Sequence, residues 1–387
     1  MSKVVNHEFT SSYARCVQAR SQRSYSVQVI EGLCGQGFER LLEVIGHRRA
    51  LLVTTPTVSK LYGNTLCRQL RHAGIDIPEL ILDCKEATKT LEQVEHICAE
   101  AYEQGLDRTG VLIAFGGGVC TDIVTVAASW IRRGIHHIRI PTTLIGQIDA
   151  GIGIKGAVHF QGKKNYLGCF YPPQSALIDP AFLPTLPGRY LSCGLAEIIK
   201  VALVGDRELF MLVEKHANRL LDSGFTDPPQ PVRAILQRSI QAMLDQLEPN
   251  LYEDQTYKRL ADFGHTVSPL LEAASGYEIA HGEAVAVDMA FSCVVATFLG
   301  LLDRDCCQRI LAAFVDARLP CFSPLLTEQL CLEALQETLR HRGGAINLVV
   351  PTEIGQATFL EQPDDLPPSV IRSAIQWLID FLKSTQT

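Results

Sequence analysis

Residues 110–122 read GVLIAFGGGVCTD and combine a short apolar run with three consecutive glycines. The run 110–115 has the length and composition of a buried β-strand, and residues 120–130 have helical spacing. A glycine-rich turn between such a strand and a helix lets backbone N–H groups approach a phosphate. Thr121 stands where the usual dinucleotide fingerprint has its third glycine, so a tight turn without a ligand is an equal alternative for this segment alone.

The sequence around this segment alternates short β-rich runs with helical ones. Further strands are predicted at 25–30, 49–54, 79–83 and 137–140, and helices at 61–73 and 90–103. Such alternation predicts a parallel sheet covered by helices.

Beyond about residue 187 the pattern becomes mainly helical. Helices are predicted at 190–204, 207–221, 232–247, 258–274, 281–301 and 304–317, and only 345–350 and 357–360 look extended. We therefore predict an α/β fold with an additional all-α part. A parallel-sheet domain would span 25–187 and a mainly helical domain 188–387, preceded by a flexible arm over 1–24.

The composition excludes several classes of protein. Of the 387 residues, 47% are hydrophobic and 20% charged, which excludes general disorder. The formal charge of −7 argues against nucleic acid as a partner. Thirteen cysteines without a CxxC pair favour reduced thiols in the cytoplasm over a zinc ribbon or a disulfide framework. Residues 1–24 lack a signal-peptide pattern, and the longest apolar run, 289–302, predicts a buried core helix and no membrane partner.

Polar residues flank the glycine turn. Thr142 and Thr143 follow the predicted strand 137–140, and their hydroxyls could reach a ribose or a phosphate. Glu86 and Lys89 follow the strand 79–83 and could hold an adenosine ribose, although a solvated helix start is the favoured reading of that pair alone.

Three separate segments contain candidate metal ligands: GLAEIIK at 194–200, DFGHT at 262–266 and AHGE at 280–283. Glu197, His265 and His281 make a His₂Glu set, which is typical of catalytic Zn²⁺ with an open position for substrate. Two histidines beside glycines could also be ordinary helix-start residues.

A fourth segment, 149–165, combines glycines with Lys155, Lys164 and Asn165. Together with Arg132 and Arg133 it forms a basic cluster that suits a phosphate. The alternative is a flexible surface loop.

Taken together, the motifs GGGVCTD, IPTTLIGQIDAGIGIK, GKKNYLGCFYPP, GLAEIIK, DFGHT and HGEAV occur in an order and spacing that resemble the sugar phosphate cyclase superfamily. Its best-known member is dehydroquinate synthase, and the resemblance spans roughly residues 25–350. It implies a Rossmann-like N-terminal domain that binds NAD+, a helical C-terminal domain that binds one Zn²⁺ or Co²⁺, and an active site in the cleft between them. It also implies a homodimer.

The resemblance extends to individual positions. The implied metal ligands are Glu197, His265 and His281. The candidate cofactor contacts are Glu86, Lys89, Gly117, Gly118, Val119, Asp122, Thr142, Thr143, Leu144, Asp149, Lys155, Lys164, Phe182, Thr185 and Leu186. The candidate catalytic and substrate-binding residues are Asp149, Lys155, Lys200, Asn165, Asp262, His341 and Arg133, the last from the partner subunit.

Several positions depart from the dehydroquinate synthase pattern, and four of them bear on the choice of substrate. Pro269 stands in place of a second histidine, and Asp262 in place of an asparagine. Met243 stands in place of a lysine that binds the substrate carboxylate, and His341 in place of a lysine near the C-terminus. Loss of that lysine and gain of an aspartate make the pocket poorer for an acid substrate. The pattern resembles the sedoheptulose 7-phosphate cyclases, most of all the 2-epi-5-epi-valiolone synthases.

The resemblance therefore implies cyclisation of a sugar phosphate with loss of phosphate. The alternatives are another sedoheptulose 7-phosphate cyclase (2-epi-valiolone synthase or desmethyl-4-deoxygadusol synthase), 3-dehydroquinate synthase, and a metal- and NAD-dependent polyol dehydrogenase. The phosphate-binding cluster argues against the dehydrogenase, and the His₂Glu set with Lys200 argues against a non-catalytic binding protein.

Overall fold

The structure is a computed structural model that describes residues 16, 23–341 and 344–385, with the backbone alone at 341, 384 and 385. The predicted arm over 1–24 therefore lies almost entirely outside the described residues.

Six strands form a single parallel sheet in the order β1-β8-β5-β4-β2-β3, which confirms the predicted parallel sheet. The remaining strands form two antiparallel hairpins, β6–β7 and β9–β10. The strands are β1 Ser26–Val29, β2 Ala50–Thr54, β3 Glu79–Ile81, β4 Val111–Gly116, β5 His136–Pro141, β6 Lys155–Phe160, β7 Lys163–Phe170, β8 Ser175–Ile178, β9 Leu348–Glu353 and β10 Gln356–Leu360.

Helices cover the sheet and make up most of the chain beyond it. They are α1 Phe38–Ile45, α2 Pro56–Val58, α3 Asn64–His72, α4 Leu91–Glu103, α5 Gly118–Trp130, α6 Gly188–Gly205, α7 Arg207–Asp222, α8 Pro229–Leu247, α9 Ser268–Ala274, α10 His281–Phe298, α11 Arg304–Asp316, α12 Glu328–His341 and α13 Pro368–Thr385.

Local chemistry explains several helix boundaries. The Asp206 side chain accepts a hydrogen bond from the backbone N–H of Leu209 and caps α7. The helix predicted over 258–274 is wrong before residue 268, because Gly264 adopts a left-handed φ of 73° and the shorter helix α9 begins at Ser268, with Pro269 in its first turn. The segment before α9 is thereby free to form a loop that carries two of the candidate site residues.

Helices α6 and α10 form the centre of the helical part and are buried along most of their lengths. Among the described residues, α10 alone has the length and hydropathy of a possible membrane span, and 78% of that window is buried inside the protein. This burial is the environment expected of a core helix.

The hairpin β6–β7 and strand β8 were not predicted from the sequence. The hairpin occupies most of the segment whose alternative was a flexible surface loop. It packs closely on α5, since a Cβ at Gly156 would lie 2.6 Å from Cβ of Thr125. The loop alternative is therefore wrong for residues 155–160 and 163–165.

Candidate active site

The glycine turn and the Thr142-Thr143 segment meet at one edge of the sheet, because β4 and β5 are parallel neighbours. The Thr142 N–H donates to the Gly116 carbonyl at 2.9 Å, and a Cβ at Gly117 would lie 3.0 Å from Thr143 Cγ2. From β2 the chain goes first to β3 on one side and then to β4 on the other, so the strand order reverses at β4. Open parallel sheets bind nucleotides at such a switch point.

Five predicted residues form one polar network beside this turn. Lys89 Nζ donates to Asp122 Oδ2 at 2.6 Å and to Asn165 Oδ1 at 2.8 Å. Lys164 Nζ lies 3.9 Å from Glu86 Oε1. Burial disfavours the charged form of Lys89, but the Asp122 and Glu86 carboxylates outweigh it and raise its pKa. A solvated helix start is therefore wrong as a description of Lys89, which is 3% exposed.

Other candidate cofactor contacts lie in the walls of the same region. The Phe182 ring packs edge-on against Tyr62, with 4.8 Å between ring centroids, and Thr185 Oγ1 lies 2.7 Å from the Tyr62 hydroxyl. Leu144 is buried against Gly194 of α6, where a Cβ would overlap it. Direct contacts of Phe182, Thr185, Leu144, Val119 and Leu186 with a cofactor stay predictions.

The three candidate metal ligands converge in the helical part, where one ligand atom from each residue lies within 4.8 Å of the other two. Glu197 lies in the middle of α6, His265 follows the left-handed turn at Gly264, and His281 is the first residue of α10. Nε2 of His281 is 3.2 Å from Glu197 Oε1, and Nε2 of His265 is 3.8 Å from the same oxygen. His281 does begin a helix, but His265 lies in the loop before α9 and both rings face the same carboxylate. Metal binding by the three residues stays a prediction.

Each histidine is oriented by an acceptor at its other ring nitrogen. Nδ1 of His265 is 3.0 Å from the Phe263 carbonyl, and Nδ1 of His281 is 3.0 Å from Glu272 Oε1. With a proton on Nδ1 of each ring, both Nε2 atoms would be free to bind a metal. Burial disfavours the charged form of His281, but the Glu272 and Glu197 carboxylates outweigh it and raise its pKa to about 9, so a metal at Nε2 of His281 would displace a proton. Burial and the Lys200 charge lower the pKa of His265 to about 4, which favours the neutral form that binds metals.

A buried ion pair joins this cluster to the sheet part. Lys200 Nζ lies 2.6 Å from Glu197 Oε2 and 2.9 Å from Asp149 Oδ2. Burial disfavours the charged form of Glu197, but the ammonium of Lys200 and the imidazoles of His281 and His265 together outweigh it and hold the pKa of Glu197 well below its usual value. Asp149 and Lys200 thus bring the loop after β5 next to the metal ligands.

Close packing of α6 and α10 sets the distance between two of the ligands. A Cβ at Gly282 would overlap the backbone of Cys193, so only glycine permits this approach of the helices. Glu197 lies about one turn after Cys193 on α6, and His281 immediately precedes Gly282.

Sequence reasoning missed Arg139, which holds the loop that carries Asp149 and Lys155. Arg139 is fully buried on β5. Its guanidinium donates to the carbonyls of Ala150 at 3.2 Å, Gly153 at 2.6 Å and Lys155 at 2.9 Å, and to Thr125 Oγ1 at 2.8 Å. An arginine within the apolar strand HHIRIP was the available signal, since an unpaired cation is rarely buried.

A chain of ion pairs surrounds Lys155 and Asp262. Glu253 pairs with both Lys155 and Arg259, and Arg259 also pairs with Asp262. The charge of Asp262 is thus compensated within the chain, and this weakens its predicted repulsion of an acid substrate. Met243 is 1% exposed in the core on α8.

The remaining two candidate residues are Arg133 and His341. Arg133 is exposed, with a φ of 68°, in the short helical turn after α5. The side chain of His341 lies outside the described residues. The roles of both stay predictions.

The residues fit the groups that the resemblance implies. Glu197 Oε1 is buried, and no described residue makes a well-aligned hydrogen bond to it. It faces the Nε2 atoms of His265 and His281. Three converging lone-pair donors of this kind suit Zn²⁺ or Co²⁺ better than Mg²⁺. For NAD+, the turn at Gly117 and Gly118 leads into the N-terminus of α5, where backbone N–H groups suit a phosphate, and Lys89 pairs with Asp122 of the same helix.

Two family profiles match the chain in succession. The profile described as 3-dehydroquinate synthase N-terminal matches residues 79–193, and that described as 3-dehydroquinate synthase C-terminal matches residues 194–340. The chain therefore belongs to the 3-dehydroquinate synthase family, and the resemblance predicted from the motifs is confirmed.

Individual relatives refine this assignment. A 2-epi-5-epi-valiolone synthase from Streptomyces glaucescens is 41% identical over 358 residues, which cover 92% of this chain and 91% of that protein. The solved structure of ValA (2-epi-5-epi-valiolone synthase) from Streptomyces hygroscopicus subsp. jinggangensis 5008, with NAD+ and Zn²⁺ bound, is 40% identical with a TM-score of 0.90. The match covers 94% of this chain and 99% of the ValA chain.

A 3-dehydroquinate synthase from Nostoc punctiforme is more distant, at 32% identity over 92% of this chain and 97% of that protein. Within the family, the chain is thus more similar to these two 2-epi-5-epi-valiolone synthases than to that 3-dehydroquinate synthase.

Proposed function

We propose that this protein catalyses the NAD+- and metal-dependent cyclisation of sedoheptulose 7-phosphate to 2-epi-5-epi-valiolone, with release of phosphate. The observation that carries the proposal is the convergence of Glu197, His265 and His281 beside the Lys200–Asp149 pair. It occurs in a chain 41% and 40% identical to two proteins named for this activity. The reaction comprises transient oxidation, β-elimination of phosphate, reduction, ring opening and intramolecular aldol addition, so the cofactor is not consumed.

A divalent metal held by the three ligands would supply Lewis acidity, and NAD+ at the glycine turn would supply a reversible hydride acceptor. The chain's own residues do the rest. Asp149 Oδ2 is hydrogen-bonded to Lys200 and can accept the proton of a substrate hydroxyl, directly or through water. The Lys200 ammonium then stabilises the negative charge that develops on the oxygen of the substrate hydroxyl.

Lys155 and Asn165 are proposed to bind the substrate phosphate. Both lie on the β6–β7 hairpin, Lys155 at its start and Asn165 near its turn. Lys155 is paired with Glu253 and Asn165 with Lys89, so a phosphate would replace Glu253 as the partner of Lys155. Hydrogen bonds from Arg139 to the preceding loop keep Asp149 and Lys155 in register with Lys200.

We propose further that the protein acts as a homodimer in the cytoplasm, with no nucleic-acid or membrane partner, and that Arg133 reaches the phosphate in the partner's site. The exposure of Arg133 supports this assignment. Light scattering after size-exclusion chromatography measures the mass in solution, and a monomer that is active at all concentrations would contradict it. The division into domains over 25–187 and 188–387 belongs to the same proposal.

The test of the activity is turnover of sedoheptulose 7-phosphate by the purified protein with NAD+ and Zn²⁺. We expect phosphate release in proportion to a cyclitol whose NMR spectrum is that of 2-epi-5-epi-valiolone. A different stereoisomer would indicate another sedoheptulose 7-phosphate cyclase. Preference for the heptulosonate 7-phosphate would indicate 3-dehydroquinate synthase, and net NADH production a polyol dehydrogenase.

A further inference from the structure

A buried carboxylate, that of Glu272, contacts the metal ligand His281 from the side opposite Glu197. Its Oε1 atom lies 3.0 Å from Nδ1 of His281, whose Nε2 atom faces Glu197 at 3.2 Å. The two ring nitrogens therefore have separate partners. A carboxylate at Nδ1 keeps the proton there, fixes the plane of the ring and leaves the Nε2 lone pair directed at the centre of the cluster.

Glu272 is 1% exposed on the short helix α9, where an uncompensated carboxylate would be costly. The compensating charge comes from the sheet part. Lys164, on β7 of the hairpin, places its ammonium on Oε2 of Glu272 and is itself mostly buried. Each oxygen of Glu272 thus has one partner, His281 on one side and Lys164 on the other.

We propose that Glu272 is a positioning residue for His281 and that Lys164 holds Glu272 in that role, so that metal affinity in the helical part depends on the β6–β7 hairpin. The inference rests on the metal site of the proposed function. Lys164 would then have two roles, the predicted contact with the cofactor and the support of Glu272. The hairpin that carries it is also tied to Lys89 through Asn165.

The hairpin supplies its own matched control. Lys163, the preceding residue, pairs with Glu337 of α12 at 2.6 Å, and its side chain is 62% exposed. The pairs Lys163–Glu337 and Lys164–Glu272 both join the hairpin to the helical part, but only the second reaches a metal ligand. Removal of either ammonium changes the net charge equally and removes one tie between the hairpin and the helical part, so an effect confined to Lys164 cannot come from the net charge or from the loss of one such tie.

The experiment measures Zn²⁺ affinity of the full-length apoprotein by competition with a chromophoric chelator. Loss of such a histidine-orienting partner typically costs 10–100-fold in metal affinity. We expect an increase in Kd of about that size for Glu272→Met, a smaller increase for Glu272→Gln, which keeps an acceptor for Nδ1, and a smaller one for Lys164→Met. Lys164→Arg should restore affinity, and Lys163→Met should equal the wild type.

A spectroscopic readout separates orientation from stability. In Co²⁺-substituted protein, Glu272→Met should change the visible d–d absorption, whereas Lys163→Met should leave it unchanged. Should Glu272→Met fail to fold, the Kd values of Lys164→Met and Lys163→Met still test whether support of Glu272 by Lys164 affects metal binding.

The outcomes are distinguishable. Equal Kd values and spectra in the wild type and in folded Glu272 and Lys164 variants overturn the inference but leave the proposed function standing. Equal effects of Lys164→Met and Lys163→Met overturn the part assigned to Lys164. Failure of the wild type to bind Zn²⁺ overturns the proposed metal site, and the inference with it.

Discussion

Replacement of Arg139 by methionine should damage both stability and activity. The variant loses four hydrogen bonds from a charged donor, each worth roughly 1.5–3 kcal/mol, and leaves the carbonyls of Ala150, Gly153 and Lys155 without that donor. It also removes the cost of burying a guanidinium, which is several kcal/mol. The net loss in free energy of unfolding should therefore be about 3–5 kcal/mol.

Activity should fall further than stability alone requires. The loop released by the substitution carries Asp149 and Lys155, and a displacement of about 1 Å in a catalytic group can cost roughly 100-fold. We expect kcat/KM for sedoheptulose 7-phosphate to fall by about that factor at temperatures where the variant is folded. Arg139→Lys should be intermediate, because an ammonium satisfies at most three of the four acceptors.

The assays are urea denaturation and steady-state phosphate release. The matched control is Arg309→Met, which removes a surface arginine paired with Glu214 and should change stability by at most about 1 kcal/mol without affecting kcat/KM. If Arg139→Met unfolds like the control and retains wild-type kcat/KM, Arg139 does not position the loop.

Three further predictions concern the metal, the cofactor and the substrate. Chelation should abolish activity, and Zn²⁺ or Co²⁺ but not Mg²⁺ should restore it, since imidazole is a poor ligand for Mg²⁺; full turnover by metal-free protein would contradict the His₂Glu site. Absorbance at the NADH wavelength should stay constant while phosphate is released, and stoichiometric NADH would indicate a dehydrogenase. The kcat/KM for sedoheptulose 7-phosphate should exceed that for the carboxylate-bearing heptulosonate phosphate by about 10- to 100-fold. The acid lacks a lysine partner at Met243, and loss of one such charge-assisted contact costs roughly 1.5–3 kcal/mol. Repulsion by Asp262 adds little, because Arg259 compensates its charge. Met243→Lys with Asp262→Asn should narrow that ratio, and equal ratios in wild type and variant would show that neither residue sets the choice.

The parallel sheet could be predicted because its determinants are local. The apolar run before Gly116 and the hydrophobic periodicity around it are visible in single short windows. The metal ligands could be proposed by type, but their convergence also depends on the packing of α6 against α10, which has no local signal, and on the left-handed turn at Gly264.

Glu272 and Arg139 were missed for a related reason. Each is one charged residue in an otherwise ordinary helix or strand, and its role depends on partners far away in the chain. The helix predicted over 258–274 was too long, because the prediction followed the apolar spacing and gave less weight to Gly264 and Pro269. The conformations of those two residues decide where α9 begins.

The close approach at Gly282 limits how this pocket can be redesigned. Any larger residue there would separate α6 from α10 and move His281 away from Glu197 together with its whole helix. Laboratory selection for bulkier sugars should therefore accumulate changes in the loop around Glu253 and Arg259, whose ion pairs can be exchanged without moving a helix. The crossing of α6 and α10 should stay invariant in every functional descendant.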